Sequence, residues 1–282
     1  MSLSIQRISF IKIFSAMVIS CLFFSFLSCS KDGLPATTKV TPVKQDTTPT
    51  VKPIYSLVWS DEFNGTAVDT SKWTYDLGNL NVNGEKEFYQ TQNATVSNGN
   101  LVITAKKEAV GSQPYTSARL KTLGKFSQTY GRIEASIKLP MGMGMWPAFW
   151  MLGANINTVS WPQCGELDIM EHINKTDTIY GTMHWNNNGH VQYGSKTTTT
   201  PGDYHLYAIE WDANEIRWYV DSTLYQTGNI QNDINNTGAF HLPFFILLNL
   251  AVAGDFPGQT VDETLLPESM YVDYVRVYKQ TN

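Results

Sequence analysis

Residues 165–172 read Gly165-Glu166-Leu167-Asp168-Ile169-Met170-Glu171-His172. Three carboxylates alternate with apolar side chains. On a strand, residues two apart share a face, so Glu166 and Asp168 point one way while Leu167 and Ile169 point into a core. Glu171 would normally face the other side. One extra residue, a β-bulge at Ile169-Met170, restores the phase and sets Glu166, Asp168 and Glu171 in a row. Such a row is costly, because like charges raise at least one pKa, and the segment has no Lys or Arg to relieve it. Two carboxyl groups about 5–5.5 Å apart are the equipment of a retaining glycosidase. One attacks the anomeric carbon; the other protonates the leaving oxygen and then activates water. A third carboxylate between them can hold a proton and push the outer two pKa values apart. Two other readings stay open here: three carboxylates can ligate a hard cation such as Ca2+, or they can form a solvated acidic face.

The neighbouring segments are aromatic. Trp146-Pro147-Ala148-Phe149-Trp150 puts two indoles on one face of a strand, Trp161-Pro162 precedes the carboxylates, and His184-Trp185 follows them. Sugar rings stack their C–H faces on indole, so Trp146, Trp150 and Trp161 read as substrate contacts. Trp59, Trp73, Trp211 and Trp218 read as core. His184 reads equally as a structural residue or as one that positions the acid–base carboxylate or a sugar hydroxyl. Met141-Gly142-Met143-Gly144-Met145 reads as a flexible loop at the rim of a cleft. The five His are scattered and no Cys pairs with them, so nothing in the spacing suggests zinc.

The elements that must carry these residues are strands. Leu101–Ala105 follows a Ser97-Asn98-Gly99-Asn100 turn, and Gly131–Leu139 alternates apolar and polar residues. Tyr207–Trp211 and Ile216–Val220 read as a hairpin. Phe244–Val252 is an apolar run suited to a strand buried on both faces, and Met270–Tyr278 alternates again. The segment Leu57-Val58-Trp59 is expected to pair with this last strand. No long amphipathic helical stripe occurs, so the fold class is all-β, a two-sheet antiparallel sandwich. Composition agrees: of 282 residues, 12% are aromatic and only 16% charged, against about 25% charged in an average chain. That excludes a charge-driven disordered polymer and a coiled coil. The net charge of -5 argues against a nucleic-acid partner.

The chain opens with an address. Arg7 and Lys12 precede an apolar run from Ile13 to Leu27, too short for a span of roughly 20 residues, so residues 1–28 read as a signal peptide. Phe26-Leu27-Ser28-Cys29 resembles a bacterial lipobox, with Phe26 where Leu is usual. The resemblance makes Cys29 a lipidation site. Ser30-Lys31-Asp32 resembles the start of surface-exposed lipoproteins of some Gram-negative bacteria. The expectation is an exported lipoprotein of the outer membrane or cell surface, touching membrane only through its lipid. Residues 29–54 read as a Thr/Pro-rich tether, and 55–282 as one catalytic domain. Cys21 leaves with the signal, so Cys164 has no partner for an internal disulfide.

Taken in order along the chain, several segments resemble glycoside hydrolase family 16, and most of all its bacterial laminarinases (endo-β-1,3-glucanases). They are Trp59-Ser60-Asp61-Glu62-Phe63, Tyr130-Gly131-Arg132-Ile133-Glu134-Ala135, Gly144-Met145-Trp146-Pro147-Ala148-Phe149-Trp150, Gly165–Glu171, Tyr207–Trp211, Leu247–Val252, Phe256-Pro257-Gly258 and Val272–Tyr278. The resemblance implies a concanavalin A-like β-jelly roll with a substrate cleft on its concave face. It makes Glu166 the nucleophile, Glu171 the acid–base catalyst and Asp168 the assisting carboxylate. Met170 gives the bulged form of the motif, which disfavours the lichenase and xyloglucan-transferase branches and leaves laminarinases, agarases and carrageenases. Asn83-Gly84-Glu85 matches a stretch bordering the cleft, with Glu87 where that pattern has Gln, and Arg119 matches a cleft arginine. Glu62, the Gly99 carbonyl and Asp273 match the ligands of a structural Ca2+ in many members, and read equally as hydrogen-bonded strand-end residues.

The expected protein is a monomeric retaining endo-hydrolase of internal β-1,3 or mixed β-1,3/1,4 glucan bonds that needs no catalytic cofactor. Its partner is a neutral polysaccharide, since Lys175 is the only Lys or Arg between Trp146 and Trp185. That argues against a sulfated galactan and less strongly against agarose. A transglycosylase would share the same covalent intermediate, and a β-glucan-binding lectin would keep the aromatics but lose the glutamates.

Overall fold

The computed structural model describes residues 53–281, which fall in one compact unit, Val51–Asn282. The expected signal peptide, Cys29 and almost all of the tether lie outside the described residues.

Two antiparallel sheets stack face to face. Sheet I has eight strands. Seven run in the order Thr223–Asn229, Glu215–Val220, His205–Trp211, Gly131–Lys138, Glu268–Gln280, Asn100–Ala105, Ala94–Ser97, and Tyr55–Asp61 also pairs with Glu268–Gln280. Sheet II has seven, in the order His190–Thr198, Thr178–Asn186, Glu166–His172, Met145–Gly153, Phe244–Val252, Arg119–Lys121, Thr74–Asp76. The jelly-roll sandwich expected from the sequence is therefore the fold. Alternation explains the stacking. Leu101, Ile103, Ile133, Ile137 and Val272 of sheet I meet Phe149, Met151, Leu167, Ile246 and Leu248 of sheet II in one core.

The expected pairings hold. Tyr207 lies opposite Val220 and Trp211 opposite Ile216 in the hairpin, and Leu57 and Trp59 lie opposite Tyr278 and Val277. All nine residues of Phe244–Val252 are buried. Its inner face joins the main core, while Phe245 and Leu247 sit in a second small cluster with Leu152 and Cys164.

Two features differ from the sequence reading. The Met141–Met145 segment is packed rather than a flexible rim. Gly144 N–H donates to Asn174 Oδ1 at 2.7 Å, and Ala253 N–H donates to the Gly144 carbonyl at 2.7 Å. Gly144 has φ +88°, and a Cβ there would stand 2.7 Å from the Thr260 carbonyl oxygen. The glycines admit a close backbone approach rather than motion. The second is Gln231–His241, an irregular 3-10 stretch with Asn232, Asp233, Asn235 and Asn236 at positive φ. Asn and Asp tolerate that region, and no hydrophobic period marks it. It packs Phe240 into the core and presents carbonyls to two indoles, Phe240 O to Trp211 and Asn235 O to Trp185.

Candidate active site

The expected bulge is present. Along Thr178–Asn186, Glu166 faces His184 and Asp168 faces Thr182, but Glu171 then faces Tyr180. Along Met145–Gly153, Asp168 faces Trp150 and Met170 already faces Phe149. Ile169 is the extra residue on this side, and on the other Ile169 and Met170 together span one partner position. Leu167, Ile169 and Met170 are fully buried in the core, while Glu166, Asp168 and Glu171 all line one cleft on the outer face of sheet II. The row of carboxylates is thus a product of register, held by three apolar anchors.

Burial is the main force on these acids. It pushes Glu171 up to about 8, and the Asp168 charge adds to that. Burial and the neighbouring carboxylate also raise Glu166, and burial raises Asp168, with the adjoining Glu166 side chain acting in the opposite sense. Ionisation of Asp168 therefore opposes ionisation of both glutamates. Two groups favour the ionised forms. Trp146 Nε1 donates to Glu171 Oε1 at 2.9 Å, and His184 Nε2 lies 3.0 Å from Asp168 Oδ2 and 3.8 Å from Glu166 Oε1.

The cleft encloses about 320 Å³ and is lined by Trp146, Trp150, Trp161, Asn83, Glu85 and Arg119 as well as the three acids. All six expected wall residues are there, and His184 reaches the acids from the next strand. The Trp161 indole is 44% exposed, which suits a stacking platform. It lies 4.6 Å from the His190 ring, centroid to centroid. The tryptophans read as core are core: Trp73, Trp211 and Trp218 are fully buried, and Trp59 stacks on Phe126 at 5.0 Å. Arg119 stands 4.7 Å over the Trp150 ring and pairs at 3.1 Å with Asp76, a carboxylate that it shares with Lys121.

Sequence reasoning missed Asn249, which lines the cleft and accepts from Trp150 Nε1 at 2.7 Å. Its signal was a lone amide inside the apolar run Leu248-Asn249-Leu250. Glu87, where the resemblance expects Gln, is buried and accepts from Val252 N–H at 2.6 Å. Burial and the adjoining Glu85 carboxylate hold its pKa well above the usual range.

The residues expected to hold calcium do not fit the ion as they stand. Glu62 is bonded through both oxygens to Arg276, at 3.0 and 2.7 Å, and Asp273 points into solvent. A guanidinium seated on the principal carboxylate opposes a dication there.

A β-sandwich whose face carries three coupled carboxylates between indole walls is built as a polysaccharide glycosidase. The chain belongs to the glycosyl hydrolases family 16, whose pattern matches residues 82–276. It is 42% identical over 238 residues to the clotting factor G alpha subunit of Tachypleus tridentatus, a match spanning 82% of this chain and only 35% of that protein. It is 41% identical over 248 residues to a beta-glucanase of Rhodothermus marinus, covering 80% of this chain and 86% of that one. It is 35% identical over 276 residues to the keratan-sulfate endo-1,4-beta-galactosidase of Sphingobacterium multivorum, covering 90% and 64%. Among solved structures, the catalytic domain of an endo-1,3-beta-glucanase (laminarinase) from Thermotoga petrophila RKU-1 superposes with a TM-score of 0.75 at 42% identity, covering 82% of this chain and all of that one.

Proposed function

We propose that this chain hydrolyses internal β-1,3 or mixed β-1,3/1,4 glucan bonds with retention of configuration. One observation carries the reading: the bulge at Ile169 returns Glu171 to the face of Glu166, with Asp168 between them. A Glu166 oxygen attacks the anomeric carbon while Glu171 gives its proton to the leaving glycosidic oxygen, forming a glycosyl ester. Glu171, now a carboxylate, takes a proton from water; the water oxygen attacks the same carbon and Glu166 leaves. Asp168, whose charge raises both glutamates, keeps its neighbours out of step, so that one is ionised while the other holds a proton. Every proton and oxygen comes from side chains and water, so the chemistry calls for no cofactor.

Identity to a beta-glucanase and a laminarinase supports the glucan. The galactosidase relative supports a galactan as the second reading. The wall favours a neutral polymer, because among the described lining residues Arg119 is the only Lys or Arg and Asp76 already pairs with it. The test is release of reducing ends from laminarin, lichenan, agarose and κ-carrageenan. Cutting of laminarin by the wild type, with Glu166→Ser binding but not cutting it, is expected. Cutting of a galactan alone overturns the substrate, and binding without cutting by the wild type overturns the enzyme.

On the same reading the protein is an exported lipoprotein, acylated at Cys29 and displayed at the outer membrane or cell surface, where it works as a monomer on insoluble or large glucans. Support comes from the leader and lipobox-like segment alone. Labelling with a radioactive fatty acid, lost in Cys29→Ser, tests the anchor. Protease shaving of whole cells tests display.

A further inference from the structure

The register that sets Glu166 opposite His184 gathers two carboxylates and an imidazole from adjacent strands. One oxygen of each acid and a ring nitrogen of His184 all lie within 4.8 Å of one another. A buried carboxylate normally collects donors, yet Asp168, only 4% exposed, leaves Oδ2 without a hydrogen bond. His184 Nε2 is 3.0 Å away but its ring does not aim an N–H at that oxygen. The other ring nitrogen is engaged: His184 Nδ1 lies 2.9 Å from His190 Nε2. Two oxygens and one nitrogen thus converge at the floor of an open cleft, one of them an orphaned acceptor.

We propose that Glu166, Asp168 and His184 form a binding site for a divalent transition metal of the zinc type. The donor set selects the ion. Calcium and magnesium take six or more oxygen ligands or demand an octahedron of them, whereas zinc takes mixed N and O donors, often three from protein, with a fourth position open to water. Here the fourth position opens onto the cleft. His190 is the outer partner: with its Nε2 accepting the N–H of His184 Nδ1, His184 Nε2 is left as the ligating lone pair, as second partners of metal-bound histidines do. The sequence gives no hint of this, because the third donor is sixteen positions beyond Asp168 on another strand. A metal seated here occupies the nucleophile, so metal and polysaccharide exclude each other, and free zinc acts as a reversible brake.

The test is calorimetric titration of Zn2+ into the chelator-treated full chain at neutral pH, with no polysaccharide present. One zinc per chain is expected. Asp168→Asn and His184→Ala should each weaken it at least tenfold, and His190→Ala by about tenfold or more. Circular dichroism of the metal-free variants checks their folding, and Glu166→Gln stands in for any that fail. Absence of zinc binding by the wild type overturns the site. So does binding that survives unchanged in Asp168→Asn and His184→Ala, which would move the ion to another pair such as His205 and Asp221. The titration reads binding without turnover, so its outcome is separate from that of the substrate panel.

Discussion

Trp146 donates its indole N–H to Glu171 at 2.9 Å while its ring forms part of the cleft wall and meets Phe256 edge-on at 5.7 Å. One side chain therefore both walls the cleft and tunes the acid. The hydrogen bond stabilises the carboxylate and so lowers the Glu171 pKa against the upward push of burial. Trp146→Phe keeps a ring and removes the donor. Under the proposed mechanism Glu171 must be protonated to act first, so its pKa sets the alkaline limb of kcat/KM. That limb is expected to move up by about one pH unit, since a hydrogen bond to a charged group is worth about 1.5–3 kcal/mol and one unit is about 1.4 kcal/mol. A pH profile on laminarin measures it; an unmoved limb contradicts the role.

Asp168→Asn should move the same limb the other way. The Asp168 charge raises both Glu166 and Glu171, so a neutral amide lowers both. The alkaline limb falls to lower pH, and kcat falls with it because the two outer acids lose the charge that holds them apart. Opposite shifts from the two variants are hard to obtain by general damage to the fold. Shifts of the same sign would break the coupled-acid account.

The same acids cost the fold stability as pH rises. Glu171 has an ordinary pKa near 4.5 and is raised to about 8 in the folded state, with Glu166 and Asp168 raised in the same direction. Between those values the native chain holds protons that the unfolded chain has released. Unfolding therefore becomes easier as pH climbs through the window. Glu166 keeps 18% of its side-chain surface open, and cleft water tempers its share. Buried His172, whose pKa is lowered, works in the opposite sense. The wild-type Tm is expected to fall from pH 5 to pH 8, and a Glu166→Gln/Glu171→Gln variant to flatten that slope and melt a few degrees higher at pH 8, at about 2–4 °C per kcal/mol. Equal slopes in calorimetric scans would refute it.

How much of this was legible in the sequence depended on where each signal lay. The carboxylate row was readable because period-2 alternation is local: Leu167 and Ile169 announce the inner face, and the five-residue gap to Glu171 announces the bulge. The paired edges of sheet I were readable for the same reason. Asn249 and Glu87 were not, because each acquires its meaning from a strand distant in sequence, and the His184–His190 contact depends on the register of the hairpin that joins their strands. Met141–Met145 was misread because glycine permits both mobility and close packing, and only the neighbouring Thr260 carbonyl decides between them.

Asn249 gives a fourth test. It accepts the Trp150 indole N–H at 2.7 Å while Arg119 lies over the ring. Asn249→Leu removes the acceptor from a side chain that is 6% exposed and leaves the indole N–H unpaired, at a cost of about 1–3 kcal/mol. On the proposed reading Trp150 meets the sugar away from the reacting atoms, so KM should rise severalfold while kcat changes little. Initial rates across laminarin concentrations separate the two. A fall in kcat at constant KM would place Asn249 in the chemistry instead.

Calcium provides the last. The resemblance to the family places an ion on Glu62, the Gly99 carbonyl and Asp273, but in this chain Arg276 takes both Glu62 oxygens, and that contact holds the Glu62 pKa below its usual value. An ion would have to displace the guanidinium from its carboxylate and from the Tyr274 ring, 3.7 Å beneath it. A ligand that binds only the folded state raises Tm in proportion to its occupancy. Added millimolar Ca2+, and its removal by a calcium-selective chelator, should therefore leave the Tm unchanged. Glu62→Gln, which breaks the ion pair, should cost only about 1 kcal/mol or less, as a partly exposed pair does. A Tm that climbs with calcium in the wild type and not in Glu62→Gln would show that Arg276 yields its place to the ion.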